Sequence, residues 1–328
     1  MADNNTESRR RVIVLGTGGT IAGRAARPAD NVGYTAGQVG VTELLEGIVA
    51  PPGVALQTEQ VAQADSKDMS FAIWRRLAER CAHWLAQSDV AGLVITHGTD
   101  TLEETAFFLQ SVLAPSKPVV LTCAMRPATA LTPDGPQNMR DAVAVAATPG
   151  ARGVVAVCAG SVHGALDVQK VHPYRVDAFD SGDAGPVAYV EEGALRELRN
   201  WPLSPPEPAR HCFVRMQQIE HWPRVEILMS HAEARGSLVD ALVRERQAGA
   251  AEPVQGLVLA ATGNGTLHES LEAAALRAQA AGVAVVRATR CPQGRILPAP
   301  GAVLRDAGAL SPVKARIALM LELMATQP

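Results

Sequence analysis

What this sequence lacks narrows its reading before any motif is considered. No apolar run approaches the length of a membrane span, and the polar start MADNNTESRR has no apolar signal-peptide core, so a cytoplasmic protein with no membrane partner is expected. Aromatic residues make up only 4% of the chain and the formal charge is -3, a balance that offers neither a nucleic-acid nor a membrane surface. The five cysteines, Cys81, Cys123, Cys158, Cys212 and Cys291, are odd in number and form no C-x-x-C pair, which argues for free thiols in a reducing compartment. Cys81, Cys123 and Cys158 lie in apolar runs and read as core. The eight histidines show no H-E-x-x-H or other ligand spacing, so neither a metal nor a cofactor is expected. Lysine is scarce as well: Lys67, Lys117, Lys170 and Lys314 stand against 26 arginines. Arginine cannot be deprotonated in a protein whereas lysine can trade protons, so each of these four is weighed as a proton carrier.

What is present is a rhythm. Apolar strands at Val12–Leu15, Val54–Val61, Gly92–Thr96, Pro118–Cys123 and Gly153–Cys158 alternate with helical patterns at Phe71–Ala86, Leu102–Leu113 and Asn138–Ala147. Phe71, Trp74, Ala78, Cys81 and Leu85 share one helical stripe and read as core. Residues 160–189 lose the rhythm and read as hairpins and extended chain. Asn200–Pro208 carries four prolines and reads as a linker. Beyond it, strands at Val225–Met229, Leu257–Ala261 and Val283–Arg287 resume the alternation with helices near Ser237–Gln247, His268–Ala281 and Pro312–Met324. The expected fold is therefore α/β: a larger N-terminal domain (residues 1–199) with a doubly wound, mostly parallel sheet, a linker (200–222), and a smaller C-terminal α/β domain (223–328).

One stretch carries the chemistry. In RVIVLGTGGTIAG, residues 11–23, a strand buried on both faces breaks into Gly16, Gly18 and Gly19, with Thr20 just after them. A dinucleotide fingerprint starting at Gly16 would need glycine where Ile21 stands. A phosphate-binding loop from Gly18 to Gly23 would need lysine and a hydroxyl where Arg24 and Ala25 stand. Two readings remain from this stretch alone: Thr20 as a nucleophile, or an ordinary tight strand-to-helix turn. A second hydroxyl loop, Thr99-Asp100, follows the strand ending at Thr96. In a doubly wound sheet both loops share the rim where ligands bind. Lys170 could serve there as a base, and Tyr34, in the loop VGYTAG, as a proton relay to Thr20.

TGGTIAG at 17–23, ITHGTDTLEETA at 95–106 and AMRPATALTPDGPQN at 124–138 resemble the bacterial asparaginase/glutaminase amidohydrolases, which use a threonine nucleophile. The resemblance runs from Val12 to Ala325. The ordered pair TGGTIA and HGTDT, about eighty residues apart, is highly specific. The resemblance implies that Thr20 is the acylated nucleophile, assisted by the loop residue Tyr34, and that Thr99, Asp100 and Lys170 form a second triad. It also implies substrate contacts at Gly19, Ser66, Lys67, Gly98, Thr99 and Asp100, with Ala124 lining the amide end of the pocket. A homotetramer, built as a dimer of intimate dimers in which a neighbour's C-terminal domain completes each site, is implied too.

Three positions depart from the family pattern, and all concern the substrate's α-amino end. Lys67 replaces a glutamine, Thr266 replaces an asparagine in TGNGTLH, and no acidic residue lies between Cys291 and Leu304. The expected activity is hydrolysis of L-asparagine to L-aspartate and ammonia through an acyl-threonine intermediate, with little action on glutamine. A catalytically silent binding protein on the same scaffold has no need of Thr20, Tyr34, Thr99, Asp100 and Lys170 together. The ammonia-supplying subunit of a transfer-RNA-dependent amidotransferase would carry a further domain before the TGGT strand, where this sequence has about a dozen residues.

Overall fold

A computed structural model of the chain describes residues 10–27, 29–202 and 208–326, which fall into two compact units, 10–202 and 208–326. In the first unit, β1 (Arg10–Gly18) carries Val12, Ile13, Val14 and Leu15, all fully buried. Such a run, apolar on both sides of the pleat, suits a strand covered on both faces. Two short strands, β2 (Arg24–Ala25) and β3 (Tyr34–Thr35), then pair antiparallel as a small separate hairpin. After β4 (Val54–Ala64) come helix α1 (Phe71–Leu85), β5 (Val90–Thr96), α2 (Leu102–Leu113), β6 (Pro118–Thr122), α3 (Gly135–Ala147) and β7 (Gly153–Cys158). The expected irregular region resolves into β8 (Ser161–Gly164), a hairpin of β9 (Gln169–Lys170) with β10 (Phe179–Asp180), and the strands β11 (Ala188–Glu191) and β12 (Ala194–Glu197).

The eight-stranded sheet has the order β12-β11-β8-β7-β6-β5-β1-β4. From β4 to β7 the neighbours run parallel, and from β7 to β12 antiparallel. Alternation along the strands divides the core between the two faces. Val12, Val14, Val94, Val120 and Val155 join Met139, Ala142 and Val143 of α3 in one cluster. Helices α1 and α2 pack on each other and on the sheet through β4, β5 and β7. The α1 stripe centres on Trp74, Ala78 and Cys81 as expected, with Leu77 and Trp84 added, and with Phe71 and Leu85 half-buried at its edges. Helix α3 starts three residues earlier than its pattern suggests. Pro136 sits in its first turn, where a missing N–H costs no intrahelical bond.

The second unit is a four-stranded parallel sheet, β13 (Arg224–Met229), β14 (Val254–Ala261), β15 (Ala284–Thr289) and β16 (Arg305–Asp306), in that order. Helices α4 (Pro208–Gln218), α5 (Ser237–Gln247), α6 (Glu269–Ala280) and α7 (Pro312–Thr326) accompany it. Within the stretch read as linker, residues 203–207 lie outside the described residues, and α4 is a finding the proline count concealed. Pro208 opens that helix, a position proline tolerates, and Met216 and Cys212 are buried, the Cys212 thiol donating to the Leu321 carbonyl of α7 at 3.4 Å. At the other end of the same stretch Trp201 belongs to the core of the first unit.

All five cysteines are unpaired, with Cys81, Cys123, Cys158 and Cys212 buried and Cys291 exposed. Among the described residues no helix is long and apolar enough to cross a membrane.

Candidate active site

Strands β1 and β5 lie side by side and parallel, with Gly16 opposite Thr96, so their carboxyl ends open on one rim. The Thr17 hydroxyl ties the two ends together, donating to the Thr96 carbonyl at 2.7 Å in a buried position. Gly18 and Gly19 then turn the chain with φ of 105° and 84°, values that side chains resist. Gly19 donates its N–H to the Ala64 carbonyl at the end of β4, at 3.0 Å. A methyl group added at Gly19 would collide with the Gly98 nitrogen, and one added at Gly98 would collide with the Ser66 Oγ. The loops after β1, β5 and β4 therefore meet backbone to backbone, glycine on glycine on serine. This contact brings Thr20 and Thr99 to one place.

Thr20 opens a single 3-10 turn, Thr20–Ala22, and is buried, with its Oγ1 2.6 Å from the Tyr34 hydroxyl. Tyr34 reaches it because the β2–β3 hairpin places Ala25 opposite Tyr34, with the ring lying over Gly23, where an added methyl would come within 2.8 Å of Cδ2. The returning chain is pinned by three backbone bonds: Gly37 to the Gly19 carbonyl (3.1 Å), and Gln38 and Val39 to that of Ala22 (2.6 and 2.9 Å).

Lys170 arrives from β9. Its Nζ donates to Thr99 Oγ1 at 2.8 Å and to Asp100 Oδ1 at 2.6 Å. The lysine side chain is 18% exposed and that of Asp100 53%, so the amine is sheltered while its counter-ion faces solvent. Ser66 is buried beneath them. Its Oγ accepts the Asp100 N–H at 3.2 Å, and its carbonyl accepts the Thr101 hydroxyl at 2.8 Å. Ala124, fully buried, flanks Gly135 together with Ile21, the residue after Thr20.

Lys67 is placed differently. Its amine lies 2.7 Å from Asp68 and 3.2 Å from Asp65, on a side chain 61% exposed, and the hydrogen bonds to Asp68 and then Asp65 raise its pKa. The amine is therefore charged, and it is occupied by acids of its own loop. In the second unit, Thr266 exchanges hydrogen bonds with Thr262, hydroxyl to hydroxyl at 2.8 Å. Among the described residues no group of three or more His, Cys, Asp or Glu is placed to hold a metal ion.

One supporting chain is not evident from spacing. Trp74 Nε1 donates to Thr105 Oγ1 at 2.9 Å, Thr105 Oγ1 lies 2.9 Å from His97 Nε2, and His97 Nδ1 lies 2.7 Å from the Gly98 carbonyl. A carbonyl only accepts, so Nδ1 carries the proton, Nε2 accepts from Thr105, and the ring is neutral. Burial lowers the His97 pKa to about 4, against the raising effect of its bond to Gly98. His163, bonded to Ser181 at 2.8 Å, is likewise lowered to about 4 by burial. Below pH 6.5 the unfolded chain protonates both rings while the folded unit does not, so stability is lost as pH falls from 6.5 towards 4. Each ring contributes on the order of 3 kcal/mol to that loss. Urea unfolding across this range should show uptake of about two protons, and His163→Gln should remove about one of them. A wild-type midpoint that does not move between pH 6.5 and 5 would contradict the assignment.

Known proteins show the same design. Residues 11–202 match the family model described as Asparaginase, N-terminal, and residues 224–328 that of the Glutaminase/Asparaginase C-terminal domain. The chain belongs to the asparaginase family. Among its relatives in that family, the L-asparaginase 2 of Bacillus subtilis is 36% identical over 96% of this chain and 83% of its own length. The glutaminase-asparaginase of Pseudomonas fluorescens is 35% identical over 96% of this chain and 87% of its own. The crystal structure of a probable cytoplasmic L-asparaginase from Campylobacter jejuni matches with a TM-score of 0.86 at 34% identity, covering 97% of this chain and 96% of that one.

Proposed function

We propose that this asparaginase-family protein hydrolyses L-asparagine to L-aspartate and ammonia, with Thr20 as the nucleophile. The observation that carries the mechanism is the 2.6 Å contact of Thr20 with Tyr34 on the rim shared with the Lys170–Thr99 bond. Thr20 Oγ1 attacks the side-chain amide carbon while its proton passes toward Tyr34. The C–N bond then breaks, and ammonia leaves with that proton. Water attacks the resulting ester, restores the Thr20 hydroxyl and releases L-aspartate. Thr99 and Lys170 relay protons in this sequence, and Asp100 holds the amine in place. Gly19, Gly98, Ser66, Thr99 and Asp100 form the polar floor that orients the amino acid, and Ala124 closes the amide end.

Ammonia release from L-asparagine, D-asparagine, L-glutamine and succinamate tests the reading. Turnover of L-asparagine above the other three is expected, with L-glutamine weak; no release from any of them would overturn it. The geometry of Lys67 sharpens the substrate question. A free ammonium on this side chain would repel the substrate's α-amino group, but Asp65 and Asp68 already neutralise it. Lys67→Gln should therefore change KM for L-asparagine by less than about threefold, because an exposed, compensated charge contributes little. A KM that falls sharply for L-asparagine and not for succinamate would instead make Lys67 a reader of the α-amino group.

The five unpaired thiols support a reducing, cytoplasmic location. For assembly, the resemblance implies a homotetramer. In its favour β13 and α5 leave Met229 and Leu238 60% and 66% exposed, a surface suited to burial against another copy. Sedimentation velocity of the intact enzyme measures it.

A further inference from the structure

Behind the nucleophile turn lies a second concavity, of about 280 Å³, formed wholly by the first unit. None of Thr20, Tyr34, Ser66, Thr99, Asp100 or Lys170 lines it. Its apolar wall is made by Ile21, Val39, Leu44 and Met139. Ile21 is the next residue after Thr20 in the same turn, and Val39 is bonded through its N–H to the Ala22 carbonyl of that turn. The wall is thus the reverse side of the nucleophile turn and of the chain returning from Tyr34.

The charged groups on its lining differ in how they are satisfied. Arg24 and Glu43 pair with each other. Arg126 does not pair with an acid: its Nη1 donates to the carbonyl and hydroxyl of Thr132, at 3.1 and 2.6 Å, and among the described residues its other nitrogens have no acceptor. Glu46 likewise has no cation or donor for its carboxylate among the described residues. An uncompensated guanidinium, an uncompensated carboxylate and an apolar wall around one cavity are complementary to one kind of small molecule. That molecule carries a carboxylate, an ammonium and an apolar body.

We propose that this cavity binds a free α-amino acid with an apolar side chain of about the size of leucine. Its carboxylate takes the open face of Arg126, its ammonium pairs with Glu46, and its side chain lies on Ile21, Val39, Leu44 and Met139. Such a ligand acts on the turn and loop that carry Thr20 and Tyr34 without entering the reacting site. The site is therefore a regulatory one, separate from the substrate's.

Calorimetric titration of the intact enzyme with L-leucine, in the presence of saturating L-aspartate to keep the reacting site filled, tests this. One leucine per chain is expected. Arg126→Gln and Glu46→Gln should each weaken binding at least about tenfold, the scale of one charged hydrogen bond. Isocaproate, lacking the amine, and isoamylamine, lacking the carboxylate, should be weaker than leucine by a similar factor. Met139→Trp, which fills the cavity, should abolish the heat. Each variant is to be accepted only if it unfolds cooperatively and releases ammonia within about twofold of the wild type in the absence of leucine. Absence of saturable heat in the wild type overturns the proposal. So does heat that L-aspartate suppresses, or binding that Arg126→Gln and Glu46→Gln both leave unchanged. Because binding is read without turnover, these results stand apart from the fate of the hydrolytic reading.

Discussion

Thr20→Ala is expected to lower ammonia release from L-asparagine by at least about a thousandfold, the scale on which loss of a nucleophile is felt. The fold should survive it. The Thr20 hydroxyl makes one side-chain hydrogen bond, to Tyr34, and loss of a single such bond costs about 1 kcal/mol. The turn itself is set by Gly18 and Gly19 and by the backbone bond from Gly23 to the Thr20 carbonyl, 2.8 Å long, which alanine leaves in place. Activity and thermal unfolding measured on one preparation separate the two effects. A variant that keeps activity within about tenfold of the wild type would remove Thr20 from the nucleophile's role. Thr99→Val should also abolish turnover, since it leaves Lys170 without the hydroxyl it now touches.

Lys170→Arg should be nearly as damaging as Lys170→Ala. The guanidinium preserves the charge opposite Asp100 but never gives up a proton, and its planar fork cannot replace a single ammonium bonded at once to Thr99 and Asp100. If Lys170 only neutralised Asp100, arginine would serve almost as well. The comparison is made in kcat: arginine and alanine variants within about threefold of each other support the proton-transfer role. An arginine variant with most of its turnover intact leaves Lys170 an electrostatic anchor.

Much of this architecture is legible in the residues. Val12–Leu15, Gly92–Thr96 and Gly153–Cys158 announce buried parallel strands because few other elements tolerate such short continuous apolar runs. The loops that follow them announce a rim. Thr20, Thr99, Asp100 and Lys170 meet there as the motifs suggest. What escapes a reading of the residues is tertiary in origin. Strands β2 and β3 are two residues each and exist through contacts with Gly19 and Ala22, which no local pattern encodes. Helix α4 follows a proline cluster that reads as irregular chain, because proline is disfavoured everywhere in a helix except its start. The Trp74–Thr105–His97 chain joins two helices to a strand end, and side-chain pairs so distant in sequence have no periodic signature. Lys67 is the opposite case. Its partners Asp65 and Asp68 stand within two residues of it, and these local charges govern its amine more than its place in the family pattern does.

The distribution of thiols has a practical consequence. Cys123 and Cys158 sit at the ends of neighbouring strands, and the hydrogen bond between their thiols, followed by burial, holds Cys123 well above the ordinary thiol range. Burial does the same for Cys81 and Cys212. Alkylating reagents need a thiolate they can reach, and in the folded chain the four buried cysteines lie out of reach. Cys291 is exposed, and it belongs to the second unit while the nucleophile belongs to the first. The unaltered protein therefore comes with one attachment point for a dye, a spin label or a solid support, located in the unit that does not contain Thr20.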